Sequence, residues 1–220
     1  SSSSLKNTIS KNFNTHKPKL NILPNPVDEN LFTLRKVPNI NPQFIIVCIS
    51  LFRPEKRIDL VLESFNNLVH SGIKAKLKLI GDGPLKHEIE NQIQKLGISD
   101  LVESLGYLPQ KRIIDELHNS HFLVLPSDIE TFGMVLVEAQ ACGLPVVATD
   151  CGGPKDIITA ESGILVAPGS VSGLAGGMKK LIRSFDKFDP SEIRNSVIQK
   201  FGQKSYAESI INITANLIKS

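Results

Sequence analysis

Two glutamates, Glu130 and Glu138, stand in the otherwise largely apolar stretch PSDIETFGMVLVEAQACG, which runs from Pro126 to Gly143. Burying a carboxylate costs several kcal/mol unless something satisfies it. Acids in this setting therefore raise the question of a ligand. A helix is expected to begin near Phe132, and at helical rise the eight-residue interval between the two acids spans about 12 Å. That is roughly the reach from a sugar ring across a diphosphate to a ribose. One carboxylate could then accept hydrogen bonds from sugar hydroxyls and the other from ribose hydroxyls. Between them, the unpaired backbone N–H groups of Thr131, Phe132, Gly133, Met134 and Val135 at the helix start would hold the phosphates. A glycine at position 133 lets a ligand approach the backbone closely. The competing reading of Glu138 is a structural ion pair within the fold.

Three further loops carry residue types suited to such a ligand. SLFRPEKR places Arg53, Lys56 and Arg57 beside a helix start, where cations and free N–H groups make a cradle for phosphate; a solvated basic turn is the alternative. GDGP, from Gly81 to Pro84, allows a tight turn and puts proline at a first helical position, and it reads equally as a structural turn or a ligand contact. TDCGGPKD removes side chains at Gly152 and Gly153 before another helix start, with a plain connecting turn as the alternative. Neither a GxGxxG nor a GK[ST] phosphate motif occurs, and there is no GxSxG elbow or Asp-x-Asp metal signature. His118 and His121 lack a third ligand at metal spacing and read as an ordinary polar pair.

Short apolar runs alternate with helical periodicity from Phe44 onward. FIIVCI, AKLKLIG, a segment near LVESLG, FLVLP, LPVVAT and GILVA read as strands. RIDLVLESFNNLVH, LKHEIENQIQKLG, 111–119, FGMVLVEAQACG, a turn after Pro154, 174–184, 190–200 and SYAESIINITANLIKS read as helices. Strands of four to six residues separated by helices imply an α/β, Rossmann-like parallel sheet with helices on both faces. Uninterrupted apolar strands suit burial on both sides. Ligands of such sheets bind beyond the carboxyl ends of the strands, and all four loops follow strands. The proline-bearing residues 1–40 read as a connector, and 41–220 as the domain.

The 220-residue chain has 25 basic and 22 acidic side chains and a net charge of +3. That balance, without a basic stripe interleaved with aromatics, argues against a nucleic-acid partner. Cys48, Cys142 and Cys151 are odd in number and lack CxxC spacing, so they read as buried thiols of a reducing compartment. No apolar run approaches the length of a membrane span. The start, SSSSLKNTISKNF, has no signal-peptide apolar region and reads as a cut end or tag scar.

Taken in order, LPNPVDENLF, RPEKRIDLVLESF, IGDGP, SLGYLP, LPSDIETFGMVLVEAQACGLPVVATDCGGPKDII and GILVAPGS resemble the C-terminal, donor-binding half of retaining glycosyltransferases of family 4, also called group 1. The resemblance covers nearly everything from Asn21 onward, and Glu130 and Glu138 match that family's Glu-x7-Glu hallmark. It implies one half of a GT-B architecture, a nucleotide-diphosphate sugar (UDP or GDP) as donor, and no required metal or other cofactor. By the resemblance, Glu138 would bind the donor ribose. Glu130 would sit by the transferred sugar, Lys56 would neutralise the departing diphosphate, and these last two are the catalytic candidates. The N–H groups of Phe132 to Val135 would contact sugar and phosphate, Gly81 would join the donor site, and Gly106, Tyr107 and Leu108 would flank the nucleobase.

One position departs from the pattern. Five residues before Lys56, where the family usually has a phosphate-binding arginine, stands Leu51. Arg53, about 6.6 Å further along an extended chain and on the same side, either substitutes or leaves the task to Lys56. The resemblance also makes LKNTISKNF the last helix of an N-terminal domain that would carry the acceptor, a glycan or glycolipid. The fragment alone is then expected to be inactive. The full-length protein is expected to be cytoplasmic, with peripheral attachment to the inner face of the membrane as a further expectation, in polysaccharide or glycolipid synthesis. Two rival readings are a GT-B epimerase or phosphorylase and a non-catalytic nucleotide-sugar-binding subunit, the latter favoured by Leu51.

Overall fold

The computed structural model describes residues 21–38 and 43–218, together with positions 3, 6, 9 and 10. The helix expected over LKNTISKNF lies largely outside the described residues. Among the described residues, six strands form one sheet: β1 Phe44–Ile49, β2 Ala75–Ile80, β3 Val102–Gly106, β4 Phe122–Leu125, β5 Val146–Thr149 and β6 Gly163–Val166. Their order is β3-β2-β1-β4-β5-β6 and every pair is parallel. This is the doubly wound arrangement, whose crevice opens where the strand order reverses, here between β1 and β4.

The helices are α1 Ile58–His70, α2 Lys86–Lys95, α3 Gln110–His118, α4 Met134–Ala141, α5 Pro154–Ile157, α6 Val171–Arg183, α7 Pro190–Phe201 and α8 Gln203–Ile218, and a short 3-10 turn occupies Pro54–Lys56. Alternate residues of one strand serve opposite cores. On β4, Leu123 and Leu125 join the core with α3, α4 and α7, while Phe122 and Val124 join the core with α1, α2 and α6. A strand apolar at every position is therefore required by two covered faces. Every residue of β4 and β5 is buried.

Helix α4 starts at Met134, two residues later than the sequence suggested, because Gly133 takes a left-handed φ of 103° as its N-cap. Its sequence MVLVEAQA has no polar face, which fits a helix enclosed by β-strands and α7 rather than one lying on the surface. Arginines fix its far end. Arg194 of α7 donates to the carbonyls of Ala141, Phe32 and Glu29. Arg35, 4% exposed, donates to the carbonyls of Ser120 and His121, and its own N–H bonds to the Cys142 carbonyl at 3.1 Å. Burial lowers the Arg35 pKa to about 10. These bonds satisfy helix-end carbonyls that α4 cannot pair internally. The segment before β1 thus packs into the fold: Val27 and Phe32 are buried, and the Val27 N–H bonds the Phe201 carbonyl at 2.8 Å.

Cys48 and Cys142 are buried as expected, but Cys151 is only half-buried because it follows β5 into the crevice loop. His118 contacts the Thr33 carbonyl at 2.9 Å, and the His121 ring accepts the Ile45 N–H at 2.8 Å. Each is accounted for by a backbone partner distant in sequence.

Candidate functional site

The strand-order reversal brings together the loops after β1 and β4. The first contains the Pro54–Lys56 turn, and the second runs from Pro126 to Gly133 into α4. Lys56 and Glu130 meet there, 74 residues apart in sequence, with Nζ 2.6 Å from Oε2. Their side chains are 20% and 15% exposed. This pair is too enclosed to be discounted as a surface bridge, yet open enough for a ligand to reach. Backbone contacts fix both sides of it. The Asp128 N–H bonds the Glu55 carbonyl at 2.9 Å, and the Gly153 N–H bonds the Glu130 carbonyl at 2.8 Å. Gly153 must lack a side chain: a Cβ would fall 2.3 Å from the Phe132 carbonyl oxygen.

Just beyond Glu130, the backbone N–H groups from Thr131 to Val135 find no acceptor among the described residues. The first intrahelical bonds come from Leu136 and Val137, both to the Gly133 carbonyl. A helix N-terminus with free donors and a favourable dipole suits an anion. The Phe132 side chain does not face a ligand; it is 6% exposed and packs edge-on to Phe201 at 5.5 Å.

Glu138 lies one turn into α4, half-buried and without an ionic or hydrogen-bond partner among the described residues. The structural ion pair that would have explained it is therefore missing there. Burial alone pushes its carboxyl up to about 7, well above the ordinary carboxylate range. An acid held half-buried without a partner costs stability, and such sites are enriched in function.

Leu51 and Arg53 are both exposed and flank buried Phe52, but the Arg53 N–H bonds back to the Leu51 carbonyl at 2.9 Å, so the segment is a tight turn and not the extended chain expected from the sequence. Arg53 makes no ion pair among the described residues. Gly81 has a close structural reason for its identity, since a Cβ there would lie 1.8 Å from the Ser50 carbonyl oxygen. Next to it is a cavity of about 240 Å³ lined by Leu51, Gly81, Asp82, Tyr107, Leu108 and Ile113 among others. Tyr107 is 79% exposed at its rim, an unusual position for a large aromatic. No group of three His, Cys, Asp or Glu side chains among the described residues could hold a metal.

One contact beside the pair was not expected from the sequence, which offered Arg57 only as a cation beside a helix start and assigned no role to Asp128. Arg57 nevertheless holds Asp128 through Nη1 at 3.1 and 3.2 Å. Nothing in the local sequence marks this contact, because the partners are 71 residues apart.

Comparison with known proteins gives the same picture of the fold. The chain aligns with an apo lipopolysaccharide outer core galactosyltransferase at a TM-score of 0.85 and 23% identity, covering 98% of this chain and 60% of the other. It aligns with the Anabaena protein HepE, solved with UDP and glucose, at 0.76 and 22%, covering 89% of this chain and 56% of the other. In sequence it is 33% identical to the N-acetyl-alpha-D-glucosaminyl L-malate synthase of Bacillus anthracis over 72% of this chain and 43% of that enzyme. It is 31% identical to an exopolysaccharide phosphotransferase of Streptomyces coelicolor over 87% of this chain. The chain thus spans less than half the length of these two curated relatives, 43% and 19%. The model of the family described as glycosyl transferases group 1 matches residues 32–199, which takes in every loop of the crevice, and the chain belongs to that family.

Proposed function

We propose that this chain is the donor-binding half of a retaining glycosyltransferase that moves a sugar from a nucleotide-diphosphate sugar to an acceptor hydroxyl. The observation that carries the reading is the Lys56–Glu130 pair standing beside the free N–H groups from Thr131 to Val135, with the half-buried, unpartnered Glu138 one turn further along the same helix. Lys56 and the helix N-terminus stabilise charge as it develops on the departing diphosphate. Glu130 positions the transferred sugar, and Glu138 takes the ribose hydroxyls. Tyr107 and Leu108 flank the base at the adjoining cavity, and Arg53 reaches the phosphates from the side where Leu51 stands. The leaving group and the incoming hydroxyl use the same face, so the anomeric configuration is kept without a covalent intermediate. No metal enters this scheme, because lysine and backbone dipoles supply the positive charge. An N-terminal partner domain brings the acceptor, a glycan or glycolipid, in the cytoplasm at the inner face of the membrane. No helix among the described residues is long and apolar enough to cross a membrane.

UDP is the favoured nucleotide, since the neighbours solved with ligands include complexes with UDP and with UDP-glucose. A thermal-shift panel of UDP, GDP and ADP on the full-length protein tests this. UDP should raise Tm by several degrees and the others by little; a flat response to all three would count against the reading.

A further inference from the structure

Arg57 has the only positive φ among the described non-glycine residues, 49°. It closes the turn that carries Lys56 and opens helix α1, with φ 49° and ψ 47°, a left-handed geometry that glycine would adopt without steric cost. An arginine there must be held by its side chain. Its guanidinium contacts all four oxygens of two carboxylates. Nε bonds Asp59 at 3.0 and 3.2 Å and Nη2 bonds Asp59 at 2.9 Å, while Nη1 bonds Asp128 at 3.2 and 3.1 Å. Asp59 belongs to the first turn of α1, whereas Asp128 sits on the loop after β4, two residues before Glu130.

The backbone bond from Asp128 N–H to the Glu55 carbonyl, 2.9 Å long, makes a second tie between the same two loops. The Lys56–Glu130 pair lies immediately beside both ties. We infer that Arg57 and Asp128 form a clasp that positions Lys56 and Glu130 across the crevice, making Arg57 a positioning residue that acts through Lys56 on a bound nucleoside diphosphate. This rests on the proposed donor site and adds the device that holds it in register. An ordinary surface bridge would contribute little, since the side chains of Arg57, Asp59 and Asp128 are 27%, 50% and 40% exposed. The planar fork differs in spanning two segments at once, so its effect falls on geometry more than on stability.

The test is calorimetric titration of UDP, or of GDP if the thermal-shift panel selects it, into the full-length protein. The variants are Arg57→Gly, Asp128→Asn, Lys56→Ala and the double variant Lys56→Ala/Arg57→Gly. Arg57→Gly relieves the left-handed backbone, so its Tm should not fall, yet its affinity should drop about fivefold, a typical coupling for neighbours in one network. Asp128→Asn should do the same by opening the other end. With Lys56 already absent, Arg57→Gly should add nothing. Unchanged affinity in Arg57→Gly, or an equal loss with and without Lys56, would overturn the clasp. If Arg57→Gly melts early, Asp128→Asn decides alone, and full affinity there overturns it. Normal binding by Lys56→Ala would instead remove the donor site itself, and the clasp with it.

Discussion

Lys56→Ala in the full-length protein will lower sugar transfer by about a hundred- to a thousandfold, the range seen when one preorganised group facing developing charge is removed. Lys56 stands 2.6 Å from Glu130 before any donor binds, so the cation is already oriented and only has to exchange one oxygen partner for another. That exchange is the reason for expecting a loss in turnover larger than the loss in nucleotide affinity. In the ground state Lys56 shares the diphosphate with the helix N-terminus, so its removal weakens binding without abolishing it. In the transition state, the charge arriving on the leaving oxygen loses its nearest cation. The variant also strands Glu130, 15% exposed, without its partner, so part of any loss in Tm reflects an unpaired acid. Steady-state kinetics with a matched melting curve separate the two effects. Turnover within threefold of the unaltered protein would contradict the assigned role.

The second large effect belongs to Glu138 and depends on pH. Its pKa is raised by burial to about 7, so the fold binds this proton more tightly than the unfolded chain does. Stability contributed by the protonated acid is therefore full below the ordinary carboxylate range and is lost as pH rises towards 7, levelling off above it. The shift corresponds to roughly 3 kcal/mol. Glu138→Gln should accordingly raise Tm at pH 8 and flatten its dependence between pH 5 and 8. Donor affinity should move the opposite way with pH. Ribose hydroxyls donate to the ionised carboxylate, so binding of a nucleotide-diphosphate sugar should weaken below pH 7, approaching tenfold per unit in the limit. A diester donor is the right probe because its phosphates do not titrate in this window. Chemical denaturation and calorimetry at pH 5.5, 6.5 and 7.5 provide both profiles. Equal slopes for the Glu138→Gln variant would show that another group is responsible.

Much of this arrangement was legible in the chain. Runs such as FIIVCI and FLVLP have no polar residue to misdirect a reading, and each became a strand at the expected place. Helix α1 shows its period clearly over Ile58–His70. The start of α4 was less legible because helix propensity at Phe132 is ordinary, while the actual boundary is set by the left-handed turn at Gly133. Apolar residues on all sides of α4 also hide which side meets the crevice.

What sequence could not supply was long-range electrostatics. The meeting of Lys56 with Glu130 depends on where β1 and β4 lie in the sheet, and the strand order is encoded in no local segment. The grip of Arg57 on Asp128 is hidden for the same reason, and its positive φ has no signature in residue type. For Glu138 the sequence left two readings open. The structure gives its carboxylate no ion-pair partner among the described residues, and burial raises its pKa. Gly81 shows the reverse case: a residue expected to touch ligand is already explained by its approach to Ser50.

The most direct measurement is a crystal structure of the full-length protein with UDP bound. The diphosphate should lie within hydrogen-bond reach of Lys56 Nζ and the N–H groups of Gly133 to Val135, with the ribose hydroxyls on Glu138. A nucleotide seated elsewhere, with Lys56 still closed on Glu130 and Glu138 untouched, would contradict the account.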